Sequence, residues 1–370
     1  MRIGIDCRLW SESGVGRYTR NLVGYLQKID TKNEYILFVL SKDLEQIKSE
    51  IKNSKFEIVR ADIRWHSFEE QWKFSTVLVQ QKLDLVHFPY FSLPVSYPGK
   101  FIVTIHDLIL HHFPTGQAST LNPLFYWIKL LGYKYIVYKA AKKAKRIITV
   151  TEATKKEIVQ HLGITPQKIE VTYEGIDRKI STKSEASNLQ KNPNYFLYVG
   201  NAYPHKNLEK LLEAFSVFHL KNQEIFLKFV GKEDYFYKRI KGIVSEMSLT
   251  DCVQFEGEVT DSELSTLYKN ARGLVIPSLM EGFGLPVLEA MASGCPIACS
   301  RISSHEEICK DAAFYFDPKN PNDIADSMSE IISNTKEVKE HVSNGLQRSK
   351  SFSFEKMAKQ TLAIYIDAAA

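Results

Sequence analysis

Two glutamates, Glu281 and Glu289, bracket a short turn, Gly282-Phe283-Gly284-Leu285, that runs into Pro286. An apolar run, Gly273-Leu274-Val275-Ile276, precedes it, and a helix-forming stretch follows and closes at Gly294. Glycine lets backbone approach a ligand closely. Proline suits the first turn of a helix, where its missing N–H would have no helical partner. The free N–H groups of a helix start, with their dipole, attract phosphate. Carboxylates flanking such a nest suit hydroxyl recognition, one for a sugar and one for a ribose. The plainer alternative is a strand–turn–helix with two surface glutamates.

Three further groups suit the same chemistry. Lys206 stands in Pro204-His205-Lys206-Asn207, just after the apolar run Tyr195–Val199 and the pair Gly200-Asn201. A point-charge ammonium suits a diphosphate whose charge grows as its bond breaks. His106 ends another apolar run, Phe101–His106, beside Asp107, and ligands of open α/β sheets gather beyond the carboxyl ends of strands. Gly14 and Gly16 lie in a long loop after Cys7, with Thr19 where a dinucleotide fingerprint needs its third glycine. That loop is read as reaching toward a donor phosphate, against the alternative of an ordinary connection. No Asp-x-Asp pair is present, and Asp323-x-x-Asp326 has the wrong spacing and falls in a helical stretch. No metal is expected.

The elements that would carry these residues alternate. Short apolar runs at residues 2–6, 35–40, 56–60, 83–88, 101–106, 147–150 and 169–173 read as strands, separated by helical stretches at 17–28, 68–81 and 120–144. Such runs of Val, Ile and Phe between helices indicate a parallel sheet covered on both faces. Residues 181–194 are polar and read as a linker. The rhythm restarts with strands at 195–199, 225–230, 253–256, 274–276 and 297–299, and helices at 207–219, 261–270 and 286–292. The expectation is an α/β chain with an N-terminal domain at 1–180, a C-terminal domain at 195–349 and a final helical segment at 350–370.

Composition narrows the class. The 370 residues are 44% hydrophobic and 25% charged, a globular mix. Five cysteines without a Cys-x-x-Cys pair argue against a disulfide framework or a zinc site, and for a reducing compartment. The first six residues reach Asp6 without a long apolar run, unlike a signal peptide, and no 18-residue apolar stretch occurs. The net charge of +5 is uneven: residues 1–180 hold 27 Lys and Arg against 18 Asp and Glu, leaving 21 against 25 beyond. Residues 120–146 combine large apolar side chains with seven basic and no acidic ones, which suits an anionic membrane surface. A helix that packs its aromatics on the sheet and turns its lysines to water is the alternative.

The segment from Pro277 to Gly294 resembles the signature of family 4, or group 1, retaining nucleotide-sugar glycosyltransferases. Gly14-Val15-Gly16-Arg17-Tyr18, Thr104-Ile105-His106-Asp107, Val171-Thr172-Tyr173-Glu174-Gly175-Ile176-Asp177 and the turn ending at Asn207 are similar to other parts of that family. The resemblance implies the GT-B fold, two Rossmann-like domains with parallel sheets facing across a cleft, and a final helix that crosses back to the N-terminal, acceptor-binding domain. It implies a metal-independent, retaining hexosyltransferase with no enzyme nucleophile. His106, Lys206 and Glu281 would be catalytic, and Gly14, Gly16, Asn201, Gly282, Phe283, Gly284, Leu285 and Glu289 donor-binding. Family members often carry arginines where Asn201 and His205 stand, so Lys206 has more of the phosphate charge to meet. Thr104-Ile105-His106-Asp107-Leu108 and the Pro204-to-Asn207 turn look most like bacterial mannosyltransferases of surface-polysaccharide assembly. That implies GDP-mannose as donor, with a UDP-hexose second, and a glycan or lipid-linked acceptor. No other cofactor and no nucleic acid is expected, and the site of action would be the cytoplasm, on the inner face of the membrane. Two other classes fit a twin α/β chain. A two-lobed sugar-binding protein would require export, and a nucleotide-sugar epimerase would not need the Glu281–Glu289 spacing.

Overall fold

The computed structural model describes residues 1–114, 122–176 and 194–370. Nearly all of the expected 181–194 linker lies outside those residues, as do Asp177 and the first two positions of the 120–146 segment. The described residues group into two compact units. One gathers those up to Gly175 together with Ser353–Ala370, and the other holds those of Ile176–Phe352.

The first unit is built on a seven-stranded, wholly parallel sheet in the order β3-β2-β1-β4-β5-β6-β7. The strands are β1 (Arg2–Asp6), β2 (Glu34–Val39), β3 (Phe56–Arg60), β4 (Leu85–Phe88), β5 (Phe101–Ile105), β6 (Ile147–Thr149) and β7 (Ile169–Val171). The central strands are buried along their length, because helices cover both faces. On one face Phe38, Phe88, Phe101 and Val103 pack with Val137 and Ile158. On the other, Ile5, Leu37 and Ile102 pack with Tyr18, Leu22, Met357 and Tyr365. Its helices include α1 (Gly14–Ile29), α2 (Leu44–Glu50), α3 (Ser75–Gln80), α4 (Ile109–His112), α5 (Pro123–Lys143) and α6 (Glu152–Leu162).

The helix expected over 68–81 is observed over 68–80, but it is not a regular α-helix throughout. A π-turn over Glu70–Phe74 precedes α3. It coincides with Glu70, a fully buried carboxylate that accepts from Arg8 at 2.6 Å and from Ser92 at 2.8 Å. Arg8 also pairs with Asp6 and lies over the Phe74 ring. Wider turns of this kind re-aim side chains that a regular helix would point elsewhere.

The second unit has a six-stranded parallel sheet, β10-β9-β8-β11-β12-β13. Its strands are β8 (Tyr195–Val199), β9 (Phe226–Val230), β10 (Val253–Gly257), β11 (Gly273–Ile276), β12 (Ile297–Ser300) and β13 (Phe314–Phe316). The sequence reading missed β13, which is three residues long. Helices α7 (Leu208–His219), α8 (Tyr235–Glu246), α9 (Asp261–Lys269), α10 (Leu285–Ser293), α11 (Ser303–Cys309), α12 (Pro321–Ser333) and α13 (Thr335–Ser349) complete the unit. The last helix, α14 (Phe354–Ala369), packs on α1 in the first unit. In each sheet the strand order reverses beside its first strand, between β1 and β4 and between β8 and β11. Crevices at the carboxyl ends of such pairs are where open α/β sheets bind ligands.

Candidate active site

In the second unit the carboxyl ends of β8 and β11 bring Gly200-Asn201 and Pro277-Ser278 to that reversal point. The turn Pro204–Lys206 is held there by two ties. Asn207, in the left-handed region at φ 61°, donates from its side chain to the carbonyls of Pro277 and Pro318. The His205 carbonyl accepts from the Leu279 N–H. Lys206 is thereby set against the segment that follows β11.

Lys206 Nζ lies 2.6 Å from Glu281 Oε1, and the Ser278 hydroxyl donates to the same oxygen at 2.8 Å. The two charged side chains are 15% and 12% exposed, too little for water to screen them fully. Burial alone would raise the Glu281 pKa. Lys206, with His305 and His205 nearby, overrides that and pulls it down to about 2. His205 is itself pushed down to about 4 by burial and by Lys206. At neutral pH the cluster is therefore a lysine ammonium and a glutamate carboxylate beside neutral imidazole. In sequence Glu281 has no cation beside it; the fold supplies one 75 positions earlier.

Gly284 caps α10 from the left-handed region at φ 89°. Leu285 is therefore the first helical residue and Pro286 the second, so the helix starts one residue earlier than the sequence implied. A Cβ on Gly284 would come within 3.4 Å of the Val287 and His305 side chains. His305 is fully buried, and its Nδ1 faces the Ser300 carbonyl at 3.1 Å, so Nδ1 carries the proton. Its Nε2 has no hydrogen-bond partner among the described residues. Burial holds its pKa low and keeps the ring neutral. The sequence reading missed Ser278, Asn207 and His305; Asn207 was legible only as a helix start, and a lone histidine on a helix gives no signal. Glu289, the fifth residue of α10, is 3% exposed and accepts from the Tyr268 hydroxyl at 2.9 Å. Lys206 and Glu281 are thus in direct contact, with Gly282, Phe283, Gly284 and Leu285 alongside in the chain, while Glu289 bonds away from that pair.

The remaining expected residues belong to the first unit. His106 follows β5 with both ring nitrogens engaged: Nε2 donates to the Pro89 carbonyl at 2.9 Å, and Nδ1 faces Glu174 Oε1 at 3.3 Å. Burial would lower its pKa, but Glu174 more than offsets this and raises it. Tyr18 sits edge-on to the His106 ring at 4.9 Å. Behind them, fully buried His87 bridges Thr104 and Tyr365. Gly14 opens α1 with free space around it, whereas Gly16 is buried. A Cβ on Gly16 would lie 2.5 Å from the Trp10 carbonyl oxygen, so this glycine is required where the Cys7-to-Ser13 loop folds back on its own helix.

Known proteins match at both levels. The model for glycosyl transferases group 1 covers residues 179–348, and that for Glycosyltransferase Family 4 covers residues 13–179. The chain is 31% identical to the O-antigen chain mannosyltransferase RfbU of Salmonella typhimurium, over 59% of this chain and 61% of that protein. It is 27% identical to O-antigen chain mannosyltransferase B of Escherichia coli, over 95% of this chain and 96% of that one. In structure it superposes on Anabaena Alr3699/HepE in complex with UDP-glucose, with a TM-score of 0.77, at 16% identity over 99% and 100% of the two chains. That likeness shows the fold, GT-B, with its two Rossmann-like units.

Proposed function

The chain belongs to the family 4, group 1 glycosyltransferases, and we propose on that premise that it moves mannose from GDP-mannose to a glycan or lipid-linked acceptor of a cell-surface polysaccharide, with retention. The observation that carries the reading is the buried Lys206–Glu281 pair beside the glycine nest, at the strand-order reversal of the second sheet. A diphosphate entering there meets the ammonium of Lys206 and the positive, N-terminal end of the α10 dipole. As the glycosidic bond breaks, charge grows on the leaving oxygens, and both groups are already aimed; removing one such donor typically costs about 100–1,000-fold in rate. The acceptor hydroxyl attacks on the face the diphosphate leaves, and a phosphate oxygen takes its proton. Mannose rests on the two O-antigen relatives. A UDP-hexose is the second reading, favoured by the UDP-glucose complex.

The test is a thermal-shift screen of GDP-mannose, GDP, UDP-glucose and UDP. Transfer is then assayed in excess EDTA, with the product anomer assigned by NMR. GDP-mannose should give the largest shift, and the product should keep the donor configuration. An inverted product, or activity lost in EDTA and restored by Mg²⁺ or Mn²⁺, would overturn the mechanism. A larger shift with UDP-glucose would move the reading to the second donor.

The same proposal places the first unit on an anionic membrane. Helix α5 buries Leu130, Tyr133, Val137, Ala140 and Ala141 against the sheet. On the opposite side it leaves Phe125, Trp127, Ile128, Leu131 and Tyr135 more than half exposed, interspersed with exposed Lys129, Lys134 and Lys139. Of the aromatic and aliphatic side chains in the segment, one stripe therefore packs inward while the other meets solvent. Apolar side chains ringed by lysines suit an interface, each lysine contributing ~1 kcal/mol near an anionic surface. Co-sedimentation with anionic vesicles should weaken with salt and fall when Lys129, Lys134 and Lys139 are changed to Glu. Equal recovery with neutral vesicles would rule it out.

A further inference from the structure

The first unit holds a second cluster of ligand-type side chains, with no residue in common with the groups above. His112 ends α4, and Glu157 and His161 stand four residues apart on α6, so one face of that helix presents both. His112 Nε2 lies 2.5 Å from Glu157 Oε2, and His161 Nε2 lies 3.2 Å from the same oxygen. The three ligand atoms all fall within 4.8 Å of one another. The two imidazole rings stand nearly perpendicular, at 85° with centroids 4.8 Å apart, and both Nε2 atoms converge on the carboxylate.

We propose that His112, Glu157 and His161 form a binding site for a divalent transition-metal ion of borderline softness, such as Zn²⁺, Ni²⁺ or Co²⁺, which braces α4 against α6. Two imidazoles with one carboxylate suit such ions, whereas Mg²⁺ and Ca²⁺ take oxygen sets. Ligand distances of about 2.0–2.2 Å in a tetrahedral site put neighbouring ligand atoms roughly 3.3–3.5 Å apart. The observed 2.5 Å and 3.2 Å separations reach that spacing through small side-chain rotations. On binding, the metal takes the place of the Nε2 protons that now bridge to Glu157, and each neutral ring carries its proton on Nδ1. The side chains are 29–34% exposed, so an ion enters from solvent and water completes its shell. Neighbouring His111 stands outside this cluster of ligand atoms, and its Nδ1 is bonded to the Tyr133 hydroxyl at 3.0 Å.

No local motif pointed to a metal, because His112 lies 45 positions before Glu157. The site belongs to the first unit, whereas Lys206 and Glu281 belong to the second, so transfer chemistry is not routed through it. What it would fix is the segment leaving His106. Helix α4 starts at Ile109, whose N–H donates to the Asp107 side chain at 2.9 Å, and a metal at His112 ties its far end to α6.

The probe is Co²⁺ added to the untagged, chelator-stripped full chain, read by its visible ligand-field band, followed by displacement with Zn²⁺. One saturable equivalent is expected, with a rise in melting temperature. Co²⁺ affinity should fall more than tenfold in His112→Ala and in His161→Ala, and the melting shift should vanish in the double variant. Glu157→Gln keeps a hydrogen-bonding group of the same size, so it decides the question if a histidine variant fails to fold; it too should weaken Co²⁺ more than tenfold. Absence of saturable binding to the wild-type chain, or one equivalent held undiminished by Glu157→Gln, would overturn the site.

Discussion

The Lys206–Glu281 pair makes a prediction whose size follows from its burial. Lys206→Met removes the charge and keeps most of the side-chain volume. Glu281 is then left 12% exposed with Ser278 still donating to it but no ammonium in contact. The wild-type fold holds Glu281 at about 2, against roughly 4.3 for a free glutamate, a gap equivalent to about 3 kcal/mol at neutral pH. Breaking a buried pair by removing one partner costs ~3–5 kcal/mol in general, so the two routes agree. The sign with pH is fixed. A depressed carboxylate contributes its full stability above its unfolded value and loses it as pH falls toward 2. The variant should therefore be less stable than wild type by about 3 kcal/mol at pH 7, with the difference shrinking below about pH 4. All four tryptophans lie in the first 127 residues, so their fluorescence does not report on the second unit. Hydrogen exchange at the β8 and β11 amides does, because it reads local opening. Lys206→Met, Glu281→Gln and the double variant form a cycle, whose coupling should be about 3 kcal/mol. Coupling below about 1 kcal/mol, or a difference that does not shrink in acid, would refute the reasoning. In the transfer assay Lys206→Met should lose about 100–1,000-fold in kcat.

Glu174→Gln should lower the His106 pKa, read by NMR titration of the ring. Because that pKa is raised in the fold, the stability lost with Glu174 should show below pH 6.5 and fade as pH rises through the folded value; an unmoved His106 would remove Glu174 from this role. Glu289→Ala should raise the donor KM more than it lowers kcat, since ribose contacts already form in the ground state, and an unchanged KM would count against that contact. Gly284→Ala forces a side chain into the left-handed region, at about 1–2 kcal/mol, and against His305. It should abolish the thermal shift with the donor nucleotide, and an undiminished shift would show that donor binding tolerates a side chain at the cap of α10.

What could be read from the chain follows from what each signal depends on. Runs such as Phe101–Ile105 and Ile297–Ser300 were legible because a strand buried on both faces must be apolar at every position. The cap of α10 was legible because glycine and proline are local statements about backbone. Pairings were not. Nothing near Glu281 announces Lys206, and nothing near His106 announces Glu174, because those contacts are set by which strand ends the sheet order places side by side. The π-turn at Glu70 was hidden for a related reason: its periodicity matches a helix, and only the buried partners Arg8 and Ser92 explain the wider turn. On α5, apolar residues on two opposite faces blurred the distinction between the side that packs and the side that meets solvent.

The place of α14 bears on how the polypeptide matures. Met357 and Tyr365 fill the same core as Ile5 and Tyr18, and the Tyr365 hydroxyl bonds to His87. Yet those residues are synthesised after the whole of Ile176–Phe352. At ~5–20 residues per second, the N-terminal sheet waits roughly 10–35 s for the helix that closes it, with its apolar α1 side open in the meantime. The second unit meets no such delay, since its strands and helices are contiguous from β8 onward. A ribosome-bound nascent chain would thus finish its later-made half first, and the earlier-made half is the one left for a chaperone to shield.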